Sequence, residues 1–477
     1  MELAARIRWN SLFSLLSSVI RLCTNVLLFL GLARFYGPEA FGQFTTAHTL
    51  STLILLLADF GLDLLFTTEV ARLRSQAGRL FQNFAALKLL FAGIAVAVMW
   101  LIPVVHTFSA ATRGLILIFS LGVACNAGMN FLFALFRGFE QLHHETRISL
   151  AANSVLLTLL ILLGILHAPI WLVATIFTGT RALGFILALI KATRLLPLPV
   201  PKLNAAVWKE VMRDGWVFGV YLLCGTLFFQ LDVLLLAFWQ GDYAVGIYQS
   251  AMKLVALTLA LPEIANSVFL PLLSRYHDEN KEKWERIGRL LNKTLWLCAL
   301  PIGLVFFVYA EPLIRILYGA ERFAPAVPLM RVAAIIVILR FAWEAYGLML
   351  TTSGRQFEKM IIVVAATILT LALNAYAIPR HGVYGAAIVA LITNSFVAAG
   401  FVLRARTFFV PWTLEARYML PGAMTLGLGA VLWFLPDLNT SPGLLAALAF
   451  YVLTVYFAGY TKEERQIMFG RRKKQIA

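Results

Sequence analysis

Charge is scarce in this sequence. Only 13% of its 477 residues are Asp, Glu, Lys or Arg, whereas 61% are hydrophobic and the mean hydropathy is +0.82. So small a polar inventory cannot cover a soluble globular surface, which leaves a membrane protein. Acid is scarcer than base, 24 residues against 40, and where the bases sit has to decide whether nucleic acid is a partner. Cysteine is nearly absent: Cys23, Cys125, Cys224 and Cys298 stand singly in apolar segments. With no CxxC spacing they exclude a disulfide framework or thiolate metal site and remain packing residues. The seven histidines are dispersed, His143 and His144 in a loop and most others near helix ends, so no metal or cofactor is expected. GxSxG, P-loop, HExxH and DxD-like constellations are missing from the soluble segments, which leaves catalysis and nucleotide-driven work without a site.

What is present is a succession of apolar runs of roughly 20 residues, each long enough to cross about 30 Å of hydrocarbon as a helix. About fourteen occur, from 10–33 and 42–66 at the start to 418–435 and 442–460 at the end. The first is too long, and too interrupted by Arg21, for a signal peptide. The basic residues alternate by loop. MELAARIR, EVARLRSQAGR, FRGFEQLHHETR, the linker after helix six and their even-numbered successors hold roughly 28 of the 40, while the loops between hold about five. This positive-inside pattern over an even number of spans predicts a multi-pass protein of the cell (inner) membrane with both termini cytoplasmic. It assigns the tail GRRKK to anionic lipid of the bilayer rather than to nucleic acid.

One phrase is written twice. GPEAFGQFTTA (37–47) and GDYAVGIYQSA (241–251) align at a constant offset of 204 residues, matching Gly37 with Gly241, Gly42 with Gly246 and Ala47 with Ala251. Six helices separate the copies, and six is even, so two parallel halves follow rather than an inverted repeat. The expected fold class is an all-α polytopic membrane protein of about 14 helices, two parallel six-helix lobes with two C-terminal helices added. Its divisions are an N-lobe at 1–195, a cytoplasmic linker at 196–213 whose prolines end the helix, a C-lobe at 214–405, helices thirteen and fourteen at 417–461 and a basic cytoplasmic tail at 462–477. Gly37 and Gly241 turn the chain at the membrane surface, and Gly42 and Gly246 offer small faces to a neighbouring helix.

The paired phrases, DFGL (59–62) and NAYAIPRHGVYGAAIVALITNSF (374–396) resemble the polysaccharide transporter branch of the MATE-like multidrug/oligosaccharidyl-lipid/polysaccharide exporter superfamily, the Wzx-type O-antigen flippases. The resemblance spans nearly the whole chain. It implies two lobes around a central cavity, alternating access, and export of a polyprenyl-pyrophosphate-linked oligosaccharide, an O-antigen or exopolysaccharide repeat unit, from the inner to the outer leaflet. It also implies assembly partners such as a polysaccharide polymerase. In related lipid II flippases two extra C-terminal helices form a groove for the lipid tail, which helices thirteen and fourteen match in position.

An ionisable side chain at bilayer depth costs a few kcal/mol or more unless it meets water or a partner. Arg21, Arg181, Lys253 and Arg340 each fall ~15–18 Å from the start of their helix, near the midplane. Together they suit a dianionic pyrophosphate, which Arg binds in bidentate fashion, and would repel a cationic drug. Singly, each has the alternative of pairing or snorkelling. Arg340 has Glu344 one turn on and is either a cavity cation or half of a structural ion pair. Lys88 and Lys293 lie within about two turns of helix ends, where snorkelling suffices, and stay outside the expected site. Asp59 shifted by 204 lands on Glu263, so the two halves carry matching acids, either gate and ion-coupling groups alongside Glu344 or interfacial caps. Asp63, one turn below Asp59, is expected to be wet, and Asp232 lies near the outer end of helix seven. Asn126 and Asn130 share a helix face, and with Gln230, Asn266, Asn374 and Asn394 they serve either sugar hydroxyls or, more often, bonds between helices.

Two other transporter readings stand beside the flippase, a lipid II flippase and a multidrug exporter of the same superfamily. The midplane cations oppose the second. A polytopic polymerase or ligase would carry catalytic groups on a substantial outer loop, and here the longest, YAEPLIRILYGAERFAPAVP, offers only Glu311 and Glu321. Without a nucleotide motif, energy is expected from a proton or sodium gradient or from the membrane potential.

Overall fold

The structure is a computed structural model that describes the backbone of residues 2–197, 199–202, 204–319 and 321–409, with short pieces between 422 and 455. Side chains before residue 20, that of Arg21, those of 205–207 and 210–222 fall outside the description, as do the basic tail and most of helices thirteen and fourteen. Among the described residues the chain is helical throughout, without strands.

The order is α1 (Glu2–Asp59), α2 (Leu62–Arg72), α3 (Ala77–Val105), α4 (Ala110–Gly138), α5 (Leu142–Ile165), α6 (Ile170–Leu195), α7 (Ala205–Trp239), α8 (Gly241–Thr258), α9 (Ala260–Glu279), α10 (Lys281–Val308), α11 (Ala310–Tyr318), α12 (Ala326–Thr352) and α13 (Gln356–Ala405). In hydrocarbon a backbone can satisfy its polar groups only internally, so helix is the default wherever the sequence is apolar. Among the described residues nine segments are long and apolar enough to cross a membrane. Of the difference from fourteen, two spans are accounted for by α1 and α13, each holding two joined across a bend; the described apolar part of α7 is the shorter Leu223–Trp239, and helices thirteen and fourteen lie mostly outside the described residues.

Those bends have local causes. Pro38 cannot continue the preceding helix, so Gly37 takes φ 77° and Pro38 starts the next helical stretch without needing a donor. In α13, Gly382 takes φ 53°, three residues after Pro379. Gly241, the counterpart of Gly37, has φ 79° between α7 and α8, so both copies of the repeated phrase begin with a left-handed glycine. The second span is shorter than its apolar run: Phe60 and Gly61 turn the chain with φ 42° and 81°, and Asp63 lies in the first turn of the separate helix α2.

The chain forms two compact units. One comprises 1–253, 317–323 and 367–386, the other 254–316, 324–366 and 387–477, so their bounds do not follow the duplication. In the first unit α4 packs along α6 and α1 against α4 and α5. An aromatic core of Phe66, Phe81, Phe84 and Phe131 fills the end near α2, with Phe66 and Phe131 stacked at 4.5 Å. The linker is tied to α3, since Gln82 donates to the Val200 carbonyl and accepts the Lys202 amide at its own carbonyl. In the second unit α10 lies between α9 and α12, and Trp284 is buried against Phe408 and Phe409.

The two copies of the phrase meet in the first unit. A Cβ on Gly42 would overlap the Asp242 carbonyl oxygen, and one on Gly246 would overlap that of Pro38. Asp242 is Pro38 shifted by 204 and Gly246 is Gly42 shifted likewise, so the contact is reciprocal. Ser109 and Thr112, at the start of α4, donate to the Asp242 carboxylate at 2.7 and 2.8 Å and hold the crossing from the side. Overpacking such a contact costs about 1–3 kcal/mol. Gly42→Ala and Gly246→Ala should each lower the melting temperature of the purified protein, whereas Gly114→Ala, where nothing lies within 4 Å, should leave it unchanged or slightly raised.

Candidate functional site

Three helices of the first unit present polar stripes to a common cavity of about 640 Å³. The second half of α1 contributes His48, Ser51, Thr52 and Asp59; α4 contributes Asn126, Asn130 and Arg137; α5 contributes Ser149 and Asn153. Within each helix these residues stand three, four or seven positions apart, the spacings that put them on one face. Arg181 of α6, Asn25, Asp63 and Thr67 complete the polar lining.

At one end the cavity is cationic and aromatic. Arg181 of the lining lies over the Phe177 ring at 4.7 Å; Lys253, outside the lining, has its Nζ 3.9 Å from the centre of Phe29. His48 sits within 5.2–6.3 Å of Phe29, Phe44, Phe119 and Phe177 and in the field of both cations. The Phe29 ring face attracts the Lys253 ammonium electrostatically but takes up none of its hydrogen-bond donors.

The other end is acidic, and its charged groups engage one another. Lys88 Nζ lies 2.8 Å from Asp59 Oδ1 and 2.8 Å from Asp63 Oδ1, with its side chain only 4% exposed. Arg137 forks onto Glu145, Nε to Oε2 at 2.8 Å and Nη2 to Oε1 at 2.7 Å. These contacts correct two expectations. Lys88 does not snorkel; the turn at Phe60–Gly61 brings Asp63 back beside Asp59, and Lys88 is buried between them. Lys293 is also buried, at 2% exposure, because helix facing, not distance from the helix end, decides exposure.

Of the residues singled out in the sequence, Arg181, Lys253 and Asp59 belong to this unit, Arg181 and Lys253 around His48 and Asp59 at the cavity's opposite end. Arg21 lies outside the described side chains. Arg340, Glu263 and Glu344 belong to the second unit. There Arg340 Nε donates to Asn394 Oδ1 at 2.9 Å, and Glu344 accepts from Asn266 rather than pairing with Arg340. Glu263 is exposed and in the field of Glu344, so the acids matched by the duplication occupy unlike surroundings. Asp232 is buried and accepts from Tyr248 Oη and Asn374 Nδ2 at 2.7 and 2.6 Å.

His48, Arg137 and Asn153 were not foreseen. Their signal is the stripe itself: His48, Thr52 and Asp59 on α1, and Gly122, Asn126, Asn130, Phe133 and Arg137 on α4, are in helical register within apolar runs. The described residues contain no group of His, Cys, Asp and Glu that could hold a metal ion.

A polytopic all-helical fold around a polar cavity with buried cations defines a membrane-transporter class, and comparison places the chain within it. Residues 7–277 match the family described as polysaccharide biosynthesis protein, and residues 219–376 match the MatE family. The chain belongs to the polysaccharide biosynthesis protein family. It is 26% identical over 302 residues to a Shigella dysenteriae protein named as an O-antigen transporter, across 61% of this chain and 72% of that one. It is 29% identical over 149 residues to the teichuronic acid biosynthesis protein TuaB of Bacillus subtilis (strain 168), where the match spans 30% of either chain. In fold it is similar to the lipid II flippase MurJ in an inward closed conformation, with a TM-score of 0.74 at 12% identity over 94% of this chain and 98% of that one. The names of these relatives are those of a transporter, a biosynthesis protein and a flippase.

Removing one partner of a buried ion pair costs about 3–5 kcal/mol, because the other charge is stranded. Lys88→Met should therefore lower the melting temperature sharply, and adding Asp59→Asn with Asp63→Asn should recover much of the loss.

Proposed function

We propose that this protein flips a polyprenyl-pyrophosphate-linked oligosaccharide from the cytoplasmic to the outer leaflet of the cell membrane. The observation that carries this reading is Arg181 in the cavity wall beside His48, with Lys253 held on the Phe29 ring near the same histidine. A pyrophosphate there would gain charge-assisted hydrogen bonds in a site of low dielectric, where they are strongest. Membership of the polysaccharide biosynthesis family and the likeness to a protein named as an O-antigen transporter support a lipid-linked glycan as the cargo.

In this mechanism the head group enters the cavity from the cytoplasmic side while the polyprenyl chain stays in lipid. The two lobes then rock about the bound head group to open outward. The triad of Asp59, Asp63 and Lys88 supplies a coupling device. With all three ionised it carries one net negative charge, so a proton taken by either acid neutralises it and loosens the hold on Lys88. A multidrug exporter would need the opposite charge at the Arg181 end, and lipid II would meet the same cations, so its exclusion rests on cargo analysis.

The test is the lipid-linked oligosaccharide content of cells lacking this protein, complemented with wild type, Arg181→Ala or Lys253→Ala. Undecaprenyl-pyrophosphate oligosaccharide should accumulate on the inner leaflet without the protein, and each variant should clear it about tenfold more slowly, the equivalent of one charged hydrogen bond. Accumulation of lipid II instead would reassign the cargo, and sensitivity to cationic drugs without any lipid accumulation would overturn the reading.

A further inference from the structure

The amides of this protein fall into two sets. In the second unit Asn266 donates to Glu344, Asn292 to the Ala342 carbonyl, and Asn394 to the Ala390 carbonyl while accepting from Arg340; in the first unit Asn374 donates to Asp232. These amides join helices. Asn25, Asn126, Asn130 and Asn153, all lining the one cavity, take part in no hydrogen bond among the described residues. Four such groups turn uncommitted donors and acceptors to one space.

The charges around them narrow the occupant. Gly122 of α4 faces Thr178 of α6, and Gly128 faces Phe185, so Arg181 stands level with the neighbourhood of Asn126. Asn130 is one turn further toward Arg137, about 6 Å along the axis. Asn153 of α5 faces the same space, with Ser149 one turn before it and Ser51 and Thr52 across from α1. Beyond Asn130 the charges are engaged with one another, Arg137 with Glu145 and Asp59 and Asp63 with Lys88, the second group carrying one net negative charge when all three are ionised. Between the Arg181 level and those pairs, the polar groups of the wall are amides and hydroxyls, set among apolar residues such as Leu55, Met129 and Phe133.

We infer that this wall reads the sugars next to the pyrophosphate, and that those sugars are uncharged. The inference rests on the flippase reading and adds the class of glycan. Each amide offers an acceptor at Oδ1 and two donors at Nδ2, the complement of adjacent hydroxyls or an acetamido group, each of which both donates and accepts. A uronic acid or other anionic sugar would find no donor of opposite charge on this stretch and would face Asp59 and Asp63 beyond it. Discrimination of this kind is strong, because a site built to hydrogen-bond hydroxyls is left with buried unpaired groups when they are missing.

The experiment measures binding of three probes to the purified full-length protein in detergent: farnesyl pyrophosphate, the same lipid carrying a neutral disaccharide, and the same lipid carrying a uronic-acid disaccharide. Wild type should bind the neutral glycolipid at least tenfold more tightly than farnesyl pyrophosphate and gain nothing from the uronic-acid form. The double variant Asn126→Leu/Asn130→Leu should lose that tenfold gain and keep its affinity for farnesyl pyrophosphate. Asn126→Ala/Asn130→Ala should do the same without added bulk, separating lost hydrogen bonds from blocked space, and unchanged affinity for farnesyl pyrophosphate reports correct folding in both. Equal binding of all three probes by wild type, retention of the gain by the alanine variant, or preference for the uronic-acid form overturns the amide wall while leaving the flippase reading intact. Farnesyl pyrophosphate binding that is absent, or indifferent to Arg181→Ala, overturns the flippase reading and the glycan class with it.

Discussion

A charge held among apolar helices has to find a partner or a cavity, and the arrangement of this protein follows from how each charge meets that demand. Desolvation makes an uncompensated ion at this depth cost several kcal/mol. Lys88 answers it with two carboxylates, Arg137 with a bidentate carboxylate, and Arg340 with an amide. Lys253 makes neither hydrogen bond nor ion pair among the described residues and rests on Phe29. The ring face stabilises its charge while leaving its donors uncommitted, which is what separates a group that can bind an anion from one that braces the fold.

The backbone meets a second demand, that two helices approach until their carbonyls touch. Only a residue without Cβ allows it, and the chain places one in each copy of the same phrase, Gly42 and Gly246. Because each glycine receives the carbonyl of the other copy, the contact is reciprocal, and a side chain added in either copy disturbs it. This explains why so short a phrase persists in both halves when the helices around it have otherwise diverged.

Much of the site was legible as helical stripes. Asn126 and Asn130, then Arg137, recur along α4 at the spacing of one face, and Asp59 follows His48 on α1 in the same register. The stripe shows that a face is polar without showing what it meets. Asn126 and Asn266 look alike in sequence, yet one opens on the cavity and the other is bound to Glu344. Lys88 read as a snorkelling residue because its distance from the helix end is local information, whereas its partners lie 25 and 29 residues earlier in the chain. Glu344, one turn from Arg340, turned to a residue 78 positions away instead.

By itself the sequence determined the environment, the helices and the duplication: scarcity of charge requires hydrocarbon, apolar runs in hydrocarbon require helix, and the 204-residue offset requires two related halves. Those are consequences of composition and spacing, which act along the chain. Tertiary structure alone decided which cations lie on rings and which in carboxylate pairs, which amides join helices and which face a cavity, and that the two glycine phrases touch. These depend on the rotation of each helix about its axis, which is fixed only when the neighbouring helices have packed.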